Sequence, residues 1–184
     1  MRKLFTNVWN VPNALTMLRL ALVPVFIVLF FRGQRTAALA VFCVASLTDL
    51  LDGQIARRTN QVTDFGKLFD PLADKLMVLS ALICHGIAGN FPWAAIAIVG
   101  VKEGLMVLGS AYMLRRGVVV QANLYGKVAT VFFMAALILA FFHGELAAWG
   151  LPLDVILLWV SVGLALLALI VYASQAFRKL REIK

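Results

Sequence analysis

Nine acidic residues occur among 184, and five of them fall in the stretch DLLDGQIARRTNQVTDFGKLFDPLADK, residues 49–75: Asp49, Asp52, Asp64, Asp70 and Asp74. Asp49, Asp52 and Ala56 stand at i, i+3 and i+7, and Gly66, Asp70 and Asp74 at i, i+4 and i+8. On helices each set shares one face. Two helices joined by the short segment RTNQVTDF pack as antiparallel neighbours, so four carboxylates can converge between two helix ends. Such a cluster repels itself unless a cation compensates it. Oxygen-only ligands suit Mg²⁺, Mn²⁺ or Ca²⁺ and argue against zinc, and four carboxylates could hold one ion or a close pair. Gly53 and Gly66 clear side chains from the backbone, and Ala56 keeps the same face small. Arg57 offers a planar donor fork suited to phosphate. Together these residues describe a site for a phosphate ester. Asp64 lies off both faces and reads as a loop or cap residue. The competing reading is an ion-pair network with neighbouring Arg and Lys. Matched helical spacing on two adjacent elements argues against it.

The elements that must carry these residues are apolar. Hydrophobic residues make up 62% of the chain and charged residues 14%, outside the range of a soluble domain of this size. Six runs, roughly 12–31, 35–57, 67–88, 92–114, 124–143 and 151–176, each approach the 20 or so residues that cross a bilayer. The expected fold is therefore an all-α integral membrane protein: one domain over residues 1–184, with six transmembrane helices. The first run is too long for a signal peptide and no small-residue cleavage site follows it. The opening MRKLFTNVWN could form a short interfacial helix or a frayed terminus. Of 17 Lys and Arg, Arg2, Lys3, Arg57, Arg58, Lys67, Arg115, Arg116, Lys127, Arg178, Lys179, Arg181 and Lys184 fall on one side if the spans alternate. Both termini are then expected in the cytoplasm. The net charge of +8 becomes a basic rim facing anionic lipid headgroups. Nucleic-acid binding does not fit, because the basic residues cap helices and form no separate basic domain. Cys43 and Cys84 lie inside spans with no metal-ligand or disulfide spacing. His85 and His143 are expected in the outer interface, and Trp93, Trp149 and Trp159 among belt or lipid-facing aromatics.

The pattern D-x₂-D-G-x₂-A-R-x₈-G-x₃-D-x₃-D, met by Asp49, Asp52, Gly53, Ala56, Arg57, Gly66, Asp70 and Asp74, resembles the CDP-alcohol phosphotransferase family. The resemblance implies that Asp49, Asp52 and Asp70 are metal ligands. It implies that Asp74 borders the metals and serves as general base, and that Gly53, Ala56, Arg57 and Gly66 hold the CDP headgroup. It also implies Mg²⁺ or Mn²⁺, one ion or two, and a homodimer in a bacterial inner membrane with its site open to the cytoplasm. The substrates it implies are CDP-diacylglycerol as donor and a small polar or lipid alcohol as acceptor.

The acceptor is less legible. NVPNALTMLRLALVP, residues 10–24, is similar to the start of the family's phosphatidylglycerophosphate synthases and cardiolipin synthases. Asn13 and Thr16 would reach the donor site from the first span. Arg19, deeper in lipid, needs a phosphate or an aspartate as partner. Lys102 beside Glu103 stands where glycerophosphate synthases tend to carry Arg-Glu. It keeps the charge and loses the fork. In ANLYGKVAT, Lys127 is a candidate for an acceptor phosphate, while Ala129 replaces a second Lys, which leans toward cardiolipin-synthase-like members. Arg115 could bind phosphate or anchor the interface. Glycerol 3-phosphate is the preferred acceptor, phosphatidylglycerol the alternative, and inositol phosphate or serine come lower. Membrane prenyltransferases also place acids and Mg²⁺ on a diphosphate, but they are longer and lack the Gly53 to Arg57 element. An ion carrier would need acids across the whole bilayer.

Overall fold

The computed structural model describes residues 11–59, 64–116 and 123–182. Its elements are α1 (Val11–Phe31), α2 (Arg35–Thr59), α3 (Asp64–Ile87), α4 (Trp93–Arg115), α5 (Leu124–Ala140), α6 (His143–Ala148) and α7 (Leu153–Glu182). No strand occurs among the described residues, so the fold is all-α as expected. Among the described residues, three helices carry apolar stretches long enough to cross a membrane: Ala14–Phe31, Trp93–Leu114 and Leu153–Lys179. The apolar parts of the others are shorter, at Arg35–Thr48, Lys75–Ile87 and Leu124–Ala140. α2 and α3 span 25 and 24 residues, and Asp49 and Asp74 adjoin these apolar parts.

Several boundaries differ from the sequence reading, and α7 runs to Glu182, past the expected end at 176. The fifth helix ends at Ala140, and His143 opens the short α6 instead of closing a longer α5. The expected connection at residues 58–65 contracts: Arg58 and Thr59 stay in α2, and Asp64 is the first residue of α3. An acid in a first turn is favoured by the helix dipole. The proposed interfacial helix over residues 1–10 lies outside the described residues.

The chain forms two compact units, Met1–Cys84 and His85–Lys184. In the first, α1 and α2 pack as a hairpin. Gly33, at φ 72°, closes α1: its N–H donates to the Phe30 carbonyl at 3.0 Å and that of Gln34 to the Leu29 carbonyl at 3.1 Å. That left-handed step satisfies orphan carbonyls in three connecting residues and suits glycine. Phe26 of α1 meets Phe42 of α2 with ring centroids 6.1 Å apart. Ala38 and Ala45 are buried one turn on either side of Phe42. Ser46 and Thr48 donate their hydroxyls to the Phe42 and Ala45 carbonyls at 2.9 and 2.7 Å, which satisfies them inside an apolar helix.

In the second unit α5 and α4 pack on α7. Asn123 accepts from the Gly126 N–H at 2.8 Å, capping α5, and donates to the Ala168 carbonyl of α7 at 2.9 Å. At the opposite end of the unit His143 Nδ1 lies 2.7 Å from Asp154 Oδ2, with Asp154 fully buried. Asn90 holds His85 Nδ1 at 2.9 Å and donates to the Ala140 carbonyl at 3.1 Å. His85 is buried against Phe141, ring centroids 4.7 Å apart, and so belongs to the interior of the unit, not to an interface. Aromatic packing and a hydrogen-bonded ring nitrogen explain why this polar residue goes inside. Trp93, Trp149 and Trp159 are exposed, as expected for lipid-facing or interfacial aromatics.

Candidate metal and phosphate site

Asp49, Asp52, Gly53, Ala56 and Arg57 lie on the last turns of α2, and Gly66, Asp70 and Asp74 on the first turns of α3. The side chains of residues 49–72 and of Asp74 lie outside the described residues. On α2 the buried positions Ala38, Phe42 and Ala45 step by four and three. Continuing at the same step reaches Asp49, Asp52 and Ala56. On α3 the buried positions Ala81 and Met77 step back by four, and a further three reaches Asp74 and four more Asp70. Ala73, beside Asp74, is fully buried as well.

The hairpin sets the level of α1 against α2. From the Phe26–Phe42 contact, seven residues back along α1 is Arg19 and seven forward along α2 is Asp49. Ten in each direction gives Thr16 and Asp52. In an antiparallel pair these are equal displacements, about 10.5 and 15 Å along the axes. Arg19 is 1% exposed and Thr16 fully buried, on the same face of α1 as Phe26. Arg19 also makes polar or electrostatic contacts within the fold. The sequence reading had placed Arg19 with the acceptor or an aspartate; the structure shows it buried on α1. Asn13 is helical, and its side chain lies outside the described part.

The remaining candidates belong to the second unit. Lys102 Nζ sits 2.6 Å from Glu103 Oε1, so its charge is met by its own neighbour. Lys127 is exposed in the first turn of α5, held there by the Asn123 cap. The sequence reading quoted Asn123 only as part of a longer stretch, although an Asn before an apolar helical run is a capping signal. Arg115 ends α4, and Arg116 stacks over Tyr112 at 5.5 Å. Asn123 meets α7 at Ala168, and a Cβ on Gly109 of α4 would lie 3.6 Å from Tyr172 of α7. Asn90 and Asp154 mark the other end. The helices therefore bring Arg115, Arg116, Lys127, Arg178 and Lys179 to one end of this unit. Ala129 is buried.

Comparison with known proteins decides the lineage. The profile of the CDP-alcohol phosphatidyltransferase family matches residues 9–167. The chain belongs to this family. Among its relatives, a probable phosphatidylglycerophosphate synthase of Mycobacterium tuberculosis is 37% identical over 95% of this chain and 83% of its own length. A CDP-diacylglycerol–glycerol-3-phosphate 3-phosphatidyltransferase of Bacillus subtilis is 35% identical over 84% and 88%. One of the same name from Shigella flexneri is 33% identical over 91% and 95%. The family profile takes in every member of the Asp49 to Asp74 pattern as well as Arg19, Lys102 and Lys127.

Proposed function

We propose that this chain is an integral membrane phosphatidyltransferase. It transfers the phosphatidyl group of CDP-diacylglycerol to glycerol 3-phosphate and releases CMP and phosphatidylglycerophosphate. Three relatives matched over most of their length carry names for this reaction or its product. The observation that supports the reading is that the eight-residue motif lies on the last turns of α2 and the first turns of α3, inside the stretch that the family profile matches. In this reading six helices cross the inner membrane of a bacterium, both termini are cytoplasmic, and the basic helix ends face the anionic leaflet. The protein acts as a homodimer.

The donor set fits a hard divalent cation: four carboxylates, no soft ligand in the motif, and surroundings in which unneutralised acids cost about 2.5–3.5 kcal/mol each. Asp49, Asp52, Asp70 and Asp74 would hold Mg²⁺ or Mn²⁺, one ion or two. When bound, the ion neutralises pyrophosphate oxygens and makes the lipid-side phosphorus a better electrophile. The protein supplies the rest. Gly53, Ala56 and Gly66 leave room for the CDP headgroup, and Arg57 offers its fork to phosphate. Asn13 and Thr16 extend this donor site from α1. Asp74 accepts the acceptor hydroxyl's proton as that oxygen bonds to the lipid-side phosphorus. The bond from this phosphorus to the bridging oxygen breaks, and CMP leaves with the electron pair. Lys127, Arg115 and Lys102 are the candidates for the acceptor phosphate.

Purified protein given labelled CDP-diacylglycerol with each acceptor in turn tests this. Phosphatidylglycerophosphate formed with glycerol 3-phosphate is the expected product. Product with phosphatidylglycerol alone would make the protein a cardiolipin synthase, the reading toward which Ala129 leans.

A further inference from the structure

We propose that Asn123 is a positioning residue for the acceptor: it fixes the first turn of α5, and with it Lys127, against α7. The inference rests on the reading of Lys127 as a ligand of the acceptor phosphate and adds a residue that acts through it. The Asn123 side chain makes two hydrogen bonds of opposite sense. Its amide oxygen accepts from the Gly126 N–H at 2.8 Å, and its amide nitrogen donates to the Ala168 carbonyl of α7 at 2.9 Å. Its backbone carbonyl accepts from the Lys127 N–H at 3.4 Å. Capping needs only the side-chain oxygen, which Ser or Asp supplies as well. The bond to Ala168 goes beyond capping. Ala168 lies in the interior of α7, where the helix ladder already serves its carbonyl. That second bond therefore ties two helices together. The approach is close there: a Cβ on Gly126 would stand 3.8 Å from the Ala168 Cβ and 3.4 Å from Asn123 Oδ1, and Ala168 is buried. Lys127 is the next residue along α5 and is exposed.

A lysine ammonium sits on a flexible stem, so its reach depends on where the backbone beneath it is held. First turns of helices fray, and the tie to Ala168 holds this one at a fixed height on α7. The consequence is selective. Loosening the tie weakens acceptor binding and leaves donor binding and the chemical step as they are. A residue that served folding alone would lower the thermal midpoint and the active fraction without moving KM.

Asn123→Ser tests this, because serine caps a helix as asparagine does, is too short to reach α7 and adds no charge. Steady-state kinetics with glycerol 3-phosphate and CDP-diacylglycerol varied in turn compare purified wild type, Asn123→Ser, Lys127→Gln and the double variant. Asn123→Ser is expected to raise KM for glycerol 3-phosphate about three- to tenfold, the effect of one lost hydrogen bond. Its kcat and its KM for CDP-diacylglycerol should stay within about twofold of wild type. Lys127→Gln is expected to raise the same acceptor KM at least as far, and the double variant to match Lys127→Gln. An unchanged acceptor KM in Asn123→Ser, beside a raised one in Lys127→Gln, overturns the inference and leaves the role of Lys127 standing. So does a double variant in which the two increases multiply. An unchanged acceptor KM in Lys127→Gln overturns that role and this inference with it, while the product formed by wild type still decides the reaction itself.

Discussion

Asp74 carries the most specific chemical claim at the scale of single residues. Asp74→Asn keeps size and removes the base, so kcat should fall by about 10²–10⁴-fold, with the protein still inserting in membranes and eluting as wild type does. A rate within a few-fold of wild type would take the base role from Asp74. A second residue-scale expectation concerns His143 and Asp154. His143→Ala leaves a fully buried carboxylate without the 2.7 Å contact that now meets it. Losing one partner of a buried pair costs about 3 kcal/mol, so the thermal midpoint should drop by several degrees. Because this pair stands at the end of its unit away from the basic residues, KM for both substrates should hold; a change in KM would tie this end to the site. The acids and their partners were unevenly legible in the sequence. The Asp49 to Asp74 spacing is local, and helix periodicity reads it directly. The contact between His143 and Asp154 spans a helix break and a reversal of direction, which no periodicity records.

Among the elements, α2 decides the account, because in the proposed function one helix carries both the packing stripe and the ligand row. Ala38, Phe42 and Ala45 bury the upper part, and the same step brings Asp49, Asp52 and Ala56 into line. Inserting one alanine between Ala45 and Asp49 rotates the acids by about 100° from the stripe while leaving α2 helical. It should abolish Mn²⁺ binding and turnover. Inserting an alanine near Arg35, ahead of both stripe and acids, keeps their mutual phase and should retain metal binding. Equal loss in both would mean that the stripe does not aim the acids. The hairpin turn is a separate test. Gly33→Ala puts a Cβ on a residue at φ 72° and should cost about 1 kcal/mol, read as a lower thermal midpoint. Helix starts and lengths followed from apolar runs closely enough to place the site. The α5–α6 break did not: the fifth run reads to 143, while the helix ends at Ala140 and α6 starts at His143. The buried carbonyl and side-chain partners at that end, Asn90 with Ala140 and His143 with Asp154, are tertiary and break the helix where composition would extend it.

For the whole molecule the question is what an oily chain with one acidic patch accomplishes. Composition points to a membrane protein, and the family profile covers the acidic motif along with most of the chain. The proposed orientation rests on the basic residues, and labelling single cysteines introduced near each terminus in intact cells should find both protected from an impermeant reagent until the membrane is opened. Reagent access to either terminus in intact cells would reverse the proposed topology. The central claim is that the two acidic stripes hold a divalent cation on a nucleotide-activated lipid. The most direct measurement follows CMP release from CDP-diacylglycerol with glycerol 3-phosphate after exhaustive chelation, then on return of Mg²⁺ or Mn²⁺. The account predicts no release without the ion, and restored release of CMP in step with phosphatidylglycerophosphate when it is returned. Steady turnover in the chelated protein would contradict it.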